Sequence, residues 1–169
     1  MSQAISFPAL ELQSILVYLL SLFLASLRMG AFLVASPFFG SRMVPLPVRI
    51  VFSIALGLGA MNYVSFPSLE VLTSVAIVPI IFQEIALGLT CGMILNMCFS
   101  TVILAGEKIA ATSGLAFASQ VDPANGAQSP VISQIFSLFL LVLFFSLNGH
   151  LVIFELLYKS YETLPLGSL

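Results

Sequence analysis

Charge is what this sequence has least of. Of its 169 residues only 5 are Lys or Arg and 7 are Asp or Glu, or 7% in all, where a soluble domain averages about 25%. So few charged side chains cannot make a wettable surface around a soluble core. The same scarcity excludes a disordered chain, which is polar and highly charged. No basic run occurs and the net charge is −2, so the electrostatic footprint of a nucleic-acid binder is missing. Tryptophan, a usual anchor at the membrane interface, is absent. The single histidine, His150, rules out H-E-x-x-H and any two-histidine metal centre, and there is no G-x-S-x-G, Walker loop or G-x-G-x-x-G. The reading is therefore not an enzyme, with no cofactor and no metal. Only two cysteines occur, Cys91 and Cys98. Seven positions apart on a helix, they would sit about 10 Å apart along the axis, too far to bridge, and are expected to be packing residues. Residues 1–13 hold no Lys or Arg and the last four residues hold no Cys, so neither a signal peptide nor a lipid anchor is expected.

What is present is apolar: 60% of residues are hydrophobic and the mean hydropathy is +1.16. Four blocks stand out, Leu12 to Phe39 across Arg28, Ile50 to Phe66 after Arg49, Val71 to Gly106 broken only by Glu84, and Val131 to Phe154 across His150. Each reaches or approaches the roughly 20 residues a spanning helix needs, and none alternates as a barrel strand does. The fold class expected is an all-α membrane protein in one domain. Ser36-Pro37, Pro45-Leu46-Pro47 and Phe66-Pro67-Ser68 punctuate the first connections, and Ser129-Pro130 reads as N-cap and first helical residue of the last block. As one helix, the third block would measure about 50 Å against about 30 Å of hydrocarbon. It is expected either to project beyond the bilayer or to fold back, with Pro79 offering a kink and Gly88 and Gly92 weak points. Arg28, Arg42 and Arg49 cluster around the first connection and point that end toward the cytoplasm. Tyr63, Tyr158 and Tyr161 stand at block ends, where interface anchors belong.

Arg28, Glu84, Asn148 and His150 are embedded in apolar sequence. A charge facing lipid at a helix centre costs about 2.5–3.5 kcal/mol on insertion scales, so pairing Arg28 with Glu84 would remove two penalties together. A structural ion pair at a helix interface is the first reading and a proton or ion relay the second. Gly88 and Gly92 form a G-x-x-x-G step that lets backbones approach; with buried charges in so small a chain, it points to contact with other subunits. The stretch from Gly114 to Gln128 is small, amide-rich and nearly uncharged. It suits a segment lodged in a narrow, semi-polar space, and loops this long are often functional.

The order of several motifs resembles the FliR family of flagellar biosynthetic proteins, membrane components of the type III export gate. The residues that carry the resemblance are Arg28, Pro37-Phe38-Phe39-Gly40, Val44-Pro45, Arg49, Gln83-Glu84, Gly88, Gly92, Gly106-Glu107, Gly114-Leu115-Ala116-Phe117-Ala118, Asp122-Pro123, Gly126, Asn148-Gly149-His150, Ser160-Tyr161 and Leu164-Pro165-Leu166-Gly167. The resemblance implies kinked helical hairpins packed in a hetero-oligomeric, cone-like pore with FliP-like and FliQ-like subunits. FlhB-like and FlhA-like components, unfolded export substrates and membrane lipid would be further partners. It implies a plug at about 106–128, with Gly106, Gly114, Leu115, Phe117, Val121, Asp122, Pro123 and Gly126 as plug or gating residues. It also implies helix or subunit interfaces at Arg28, Arg49, Glu84, Gly88, Gly92, Glu107, Asn148 and His150. Family members continue through further apolar helices, whereas this sequence stops at Leu169 and covers the N-terminal portion. The expected function is a pore subunit of the flagellar export gate in the bacterial inner membrane. The alternatives are the homologous subunit of a virulence injectisome or, in another class, a small ion or solute transporter.

Overall fold

The computed structural model describes residues 8–40, 44–63, 68–114 and 131–166. Among them the regular elements are helices: α1 (Pro8–Ala35), α2 (Leu46–Ala60), α3 (Leu69–Thr73), α4 (Ile77–Thr112), α5 (Val131–Ser146) and α6 (Gly149–Thr163). The all-α, membrane-type fold read from the sequence is the fold observed. Two helices are long and apolar enough to cross a bilayer, Leu12–Ala35 within α1 and Ile77–Thr112, and α5 with α6 makes a third if the bent pair is one span. The expectation that all four blocks cross is corrected at the second. With 15 residues, α2 measures about 22 Å, short of the roughly 30 Å core.

Local chemistry sets the helix ends. α1 stops at Ala35 because the residue before a proline is driven out of the α region, and Ser36 precedes Pro37. Ser36 then returns its hydroxyl to the Leu33 carbonyl at 2.9 Å, and the Gly40 N–H bonds the Ser36 carbonyl at 2.9 Å, turning the chain. α2 opens after Pro45 (φ −59°, ψ 144°) with a second proline in its first turn, where a missing N–H costs no hydrogen bond. The two helices form an antiparallel hairpin: Gly57 lies on Ser26 while Gly30 lies on Ser53.

The third apolar block breaks earlier than expected. Ser74 donates its hydroxyl to Val71 at 3.0 Å and accepts the Ala76 N–H at 3.2 Å, ending α3 and launching α4. Pro79 therefore falls in the first turn of α4 and starts the helix instead of kinking it. α4 does not fold back. It runs for 36 residues, about 54 Å, so the reading of an element longer than the bilayer is the one realised. The N-cap expected at Ser129 lies outside the described residues.

The chain forms two compact units, Met1–Met93 with Glu155–Leu169, and Ile94–Phe154. The first buries Leu24, Ala25, Met29, Leu33, Leu157 and Tyr161. In the second, Phe99 meets Phe144 edge-on at 5.5 Å and Gly106 lies on Ser133, so the later part of α4 and α5 run antiparallel. The fourth block, read from sequence as one crossing, is broken between α5 and α6 by a 65° bend. Asn148 takes φ 55° there, and its carbonyl accepts the Leu151 N–H at 2.9 Å to begin α6.

Candidate functional site

Arg28 sits three-quarters of the way along α1 and is completely buried, as is Glu84 in the second turn of α4. The pairing expected between them is formed, in two parallel hydrogen bonds: Nε donates to Oε2 at 2.7 Å and Nη2 to Oε1 at 2.8 Å. This bidentate geometry matches the planar guanidinium to a carboxylate and is the strongest form of such a pair. Both carboxylate oxygens are thereby occupied, which favours a structural ion pair over the proton-relay reading.

The remaining donors reach α6 and the residues just after it. Nη1 donates to the Ser160 hydroxyl at 2.9 Å, and Nη2 also donates to the Leu164 carbonyl at 3.0 Å. The Tyr161 ring lies 4.0 Å below the guanidinium carbon, a cation–π contact that strengthens when water is excluded. Tyr161 is itself fixed by its hydroxyl, which donates to the Ala25 carbonyl at 2.8 Å, and Ser160 donates to Leu157 at 2.6 Å. A buried charge is tolerable only with excellent geometry and satisfied neighbours, and Arg28 has both. One side chain joins α1, α4 and α6.

Close packing makes the cluster possible. A Cβ on Gly88 would collide with the Arg28 carbonyl oxygen and lie 2.8 Å from the Ala31 Cβ, while one on Gly92 would lie 2.6 Å from the Ala35 Cβ. The G-x-x-x-G step thus lets α4 lie along α1, in parallel and at backbone contact, which brings Glu84 within reach of Arg28. Of the helix or subunit interfaces expected at these residues, the helix interface within this chain is the one formed; only the added inference from the step and the charges to contact with other subunits loses its ground. Tyr161 is also corrected: it lines the cluster and is buried, instead of anchoring at a membrane surface. Tyr63 and Tyr158 stack on each other at 5.6 Å.

The other sequence candidates lie elsewhere. Arg49 is on α2 and lines an apolar cleft. Gly106 is not in a loop, since α4 is helical through Thr112, and it is buried on Ser133. Glu107 is half-buried one position on. Gly114 ends α4 at φ 75°, the left-handed conformation that glycine adopts without a Cβ penalty. Asn148 makes the break before α6, and His150 packs its ring on Phe145 at 5.0 Å. Leu115, Phe117, Val121, Asp122, Pro123 and Gly126 lie outside the described residues. Cys91 and Cys98, expected as packing residues, are both exposed thiols on α4.

An all-helical chain with bilayer-length helices and a desolvated arginine at their crossing defines a polytopic membrane protein. Residues 19–169 match the family described as bacterial export proteins, family 1, and the chain belongs to that family. Among curated proteins it is 32% identical to the flagellar biosynthetic protein FliR of Aquifex aeolicus, over 89% of this chain and 58% of that protein. It is 34% identical to FliR of Escherichia coli, over 83% of this chain and 54% of that protein. The surface presentation of antigens protein SpaR of Shigella flexneri is 30% identical, over 92% of this chain and 60% of that protein. The chain thus spans a little over half the length of these relatives.

Proposed function

We propose that this chain is a pore-forming subunit of the flagellar type III protein export gate in the bacterial inner membrane. It acts there without enzymatic chemistry of its own. The observation that carries this reading is the match of residues 19–169 to a bacterial export family. The architecture supports it: a helix longer than the bilayer leads directly into a small, amide-rich, nearly uncharged segment. In this reading that segment, from the Gly114 turn through Leu115, Phe117, Val121, Asp122, Pro123 and Gly126, plugs the closed channel, with Phe117 and Val121 as sealing side chains. FliP-like and FliQ-like subunits complete the wall, and FlhB-like and FlhA-like components deliver unfolded substrates.

The test is removal of residues 115–125. The complex should still assemble, and cells or vesicles carrying it should leak small ions. Permeability unchanged from the intact gate would remove the plug assignment. A second reading, the equivalent subunit of a virulence secretion apparatus, draws on the similarity to SpaR. Loss of swimming in a deletion strain supports the flagellar reading, and loss of virulence-factor secretion with swimming intact supports the other.

A further inference from the structure

The second compact unit holds polar side chains that neither the arginine cluster nor the plug segment accounts for. At about 100° per residue, its stretch of α4 has sides of distinct character. Phe99, Gly106 and Ala110 form the buried side, where Gly106 meets Ser133 of α5. Beside it, Asn96, Ser100 and Glu107 fall within about 40° of one another and make a polar row about 17 Å long. Ile94, Cys98, Ala105 and Ile109 make an apolar row on the opposite flank. In the polar row the Ser100 hydroxyl donates to the Asn96 Oδ1 at 3.3 Å. Both Asn96 N–H donors are left without an acceptor among the described residues. The half-buried Glu107 carboxylate makes no hydrogen bond or ion pair among them either, and Lys108 points about 100° away round the helix. Thr101 needs no partner, because its hydroxyl returns to the Met97 carbonyl at 2.8 Å. α5 presents the contrary surface: Ile135, Leu138, Phe139 and Val142 are each more than half exposed and carry no hydrogen-bonding side-chain atom.

We propose that the Asn96–Ser100–Glu107 flank of α4 is a wall of a water-filled passage. An unpaired amide or carboxylate is expensive in hydrocarbon, and ionisable side chains on spanning helices turn to a protein interior or to water. A covering protein would have to bring an acceptor to Asn96 and a cation to Glu107, two separate matches along one row. Water meets both needs at every position. The opposite flank of α4 and the outer face of α5 expose nothing that calls for water, so the hairpin is wet on one flank and apolar on the other. A wall of carboxamide, hydroxyl and carboxylate also suits an extended polypeptide that must slide past without being held. Hydrogen bonds to such groups are exchanged with water for little net gain. What moves along the wall rests on the gate reading; the wall's contact with water does not.

The test is thiol labelling of the full chain, assembled with its partner subunits in membrane vesicles, by a membrane-impermeant methanethiosulfonate supplied on both faces. With Cys91→Ala alone, the native Cys98 reports the apolar flank. With Cys91→Ala and Cys98→Ala together, Ser100→Cys reports the polar flank at the cost of a single atom, and Asn96→Cys and Glu107→Cys extend the row. Positions 96, 100 and 107 should react about tenfold faster than position 98 or Leu138→Cys, because the thiolate is the reactive form and a thiol kept from water holds its proton. Equal, rapid labelling at 98 and 100 would mean that water surrounds the helix, and protection of the whole row would mean that a neighbouring protein covers it. Either result overturns the proposal. In cells, modification at position 100 should also slow swimming. A labelled row with swimming unaffected would support the wetted wall and speak against cargo moving along it, so the two readings fail separately.

Discussion

At the scale of single residues, Arg28 is the side chain on which most depends. Four of its N–H donors are committed, to a carboxylate, a hydroxyl and a backbone carbonyl, so nothing smaller or differently shaped replaces it. Arg28→Met leaves Glu84 buried without its counter-ion, and breaking such a pair costs about 3–5 kcal/mol. Thermal unfolding in detergent should move down sharply and recovery of folded protein should fall. Arg28→Met combined with Glu84→Met should restore much of the loss, because replacing both charges by apolar groups is often neutral. A single variant as stable as wild type would contradict the cluster. Gly88→Leu should be as damaging for a steric reason, since its side chain would enter the α1 backbone. Unchanged thermal stability would mean that α4 does not lie along α1 at that point. The pair itself was legible in the sequence because two opposite charges stood in apolar runs and each needed an answer. Its third leg was not. Leu164 contributes a backbone carbonyl, which has no sequence signature, and a tyrosine near a helix end reads equally well as a surface anchor.

At the scale of elements, the break between α5 and α6 separates hydropathy from conformation. The apolar run continues to Phe154, so composition reads one span. Asn148-Gly149, a turn-forming dipeptide, was the available signal, and it outweighed the run. Asn148 is left-handed, a region where β-branched residues pay about 1–2 kcal/mol. Asn148→Val should destabilise by that amount in a denaturation or thermal series, while Asn148→Gly should be close to neutral. Equal behaviour of the two would mean that the bend does not depend on a left-handed residue. Elsewhere the boundaries followed local chemistry more closely. Ser36-Pro37 ends α1 as its dipeptide dictates, whereas Pro79 was misread because its meaning depends on where the helix begins. A proline is a starter in a first turn and a kink beyond it.

At the scale of the whole molecule, the fold class and the family were legible, because both rest on features spread over the chain: scarce charge, long apolar runs and many ordered motifs. The grounds for expecting companions have shifted. Arg28 and Glu84 need no other subunit, so that expectation now rests on apolar surface, such as Phe82 and Met97 at 75% and 63% exposure on α4, and on the helix's excess length. A bilayer of about 30 Å covers little more than half of the length of α4 if the helix runs along its normal. Co-expression with FliP-like and FliQ-like subunits should therefore yield a complex that purifies together in mild detergent. A monodisperse monomer from the same cells would oppose the gate reading.

The reach of Arg28 along the chain also sets an order of events during biogenesis. Its contacts are separated from it by 56, 132 and 136 positions, so α1 emerges from the ribosome long before the groups that will complete it. Until Glu84 follows, the nascent helix carries an arginine worth about 2.5–3.5 kcal/mol against insertion at the bilayer centre. Although α1 is translated before α4 and α6, the full set of Arg28 contacts can form only once the final turn of α6 has been made.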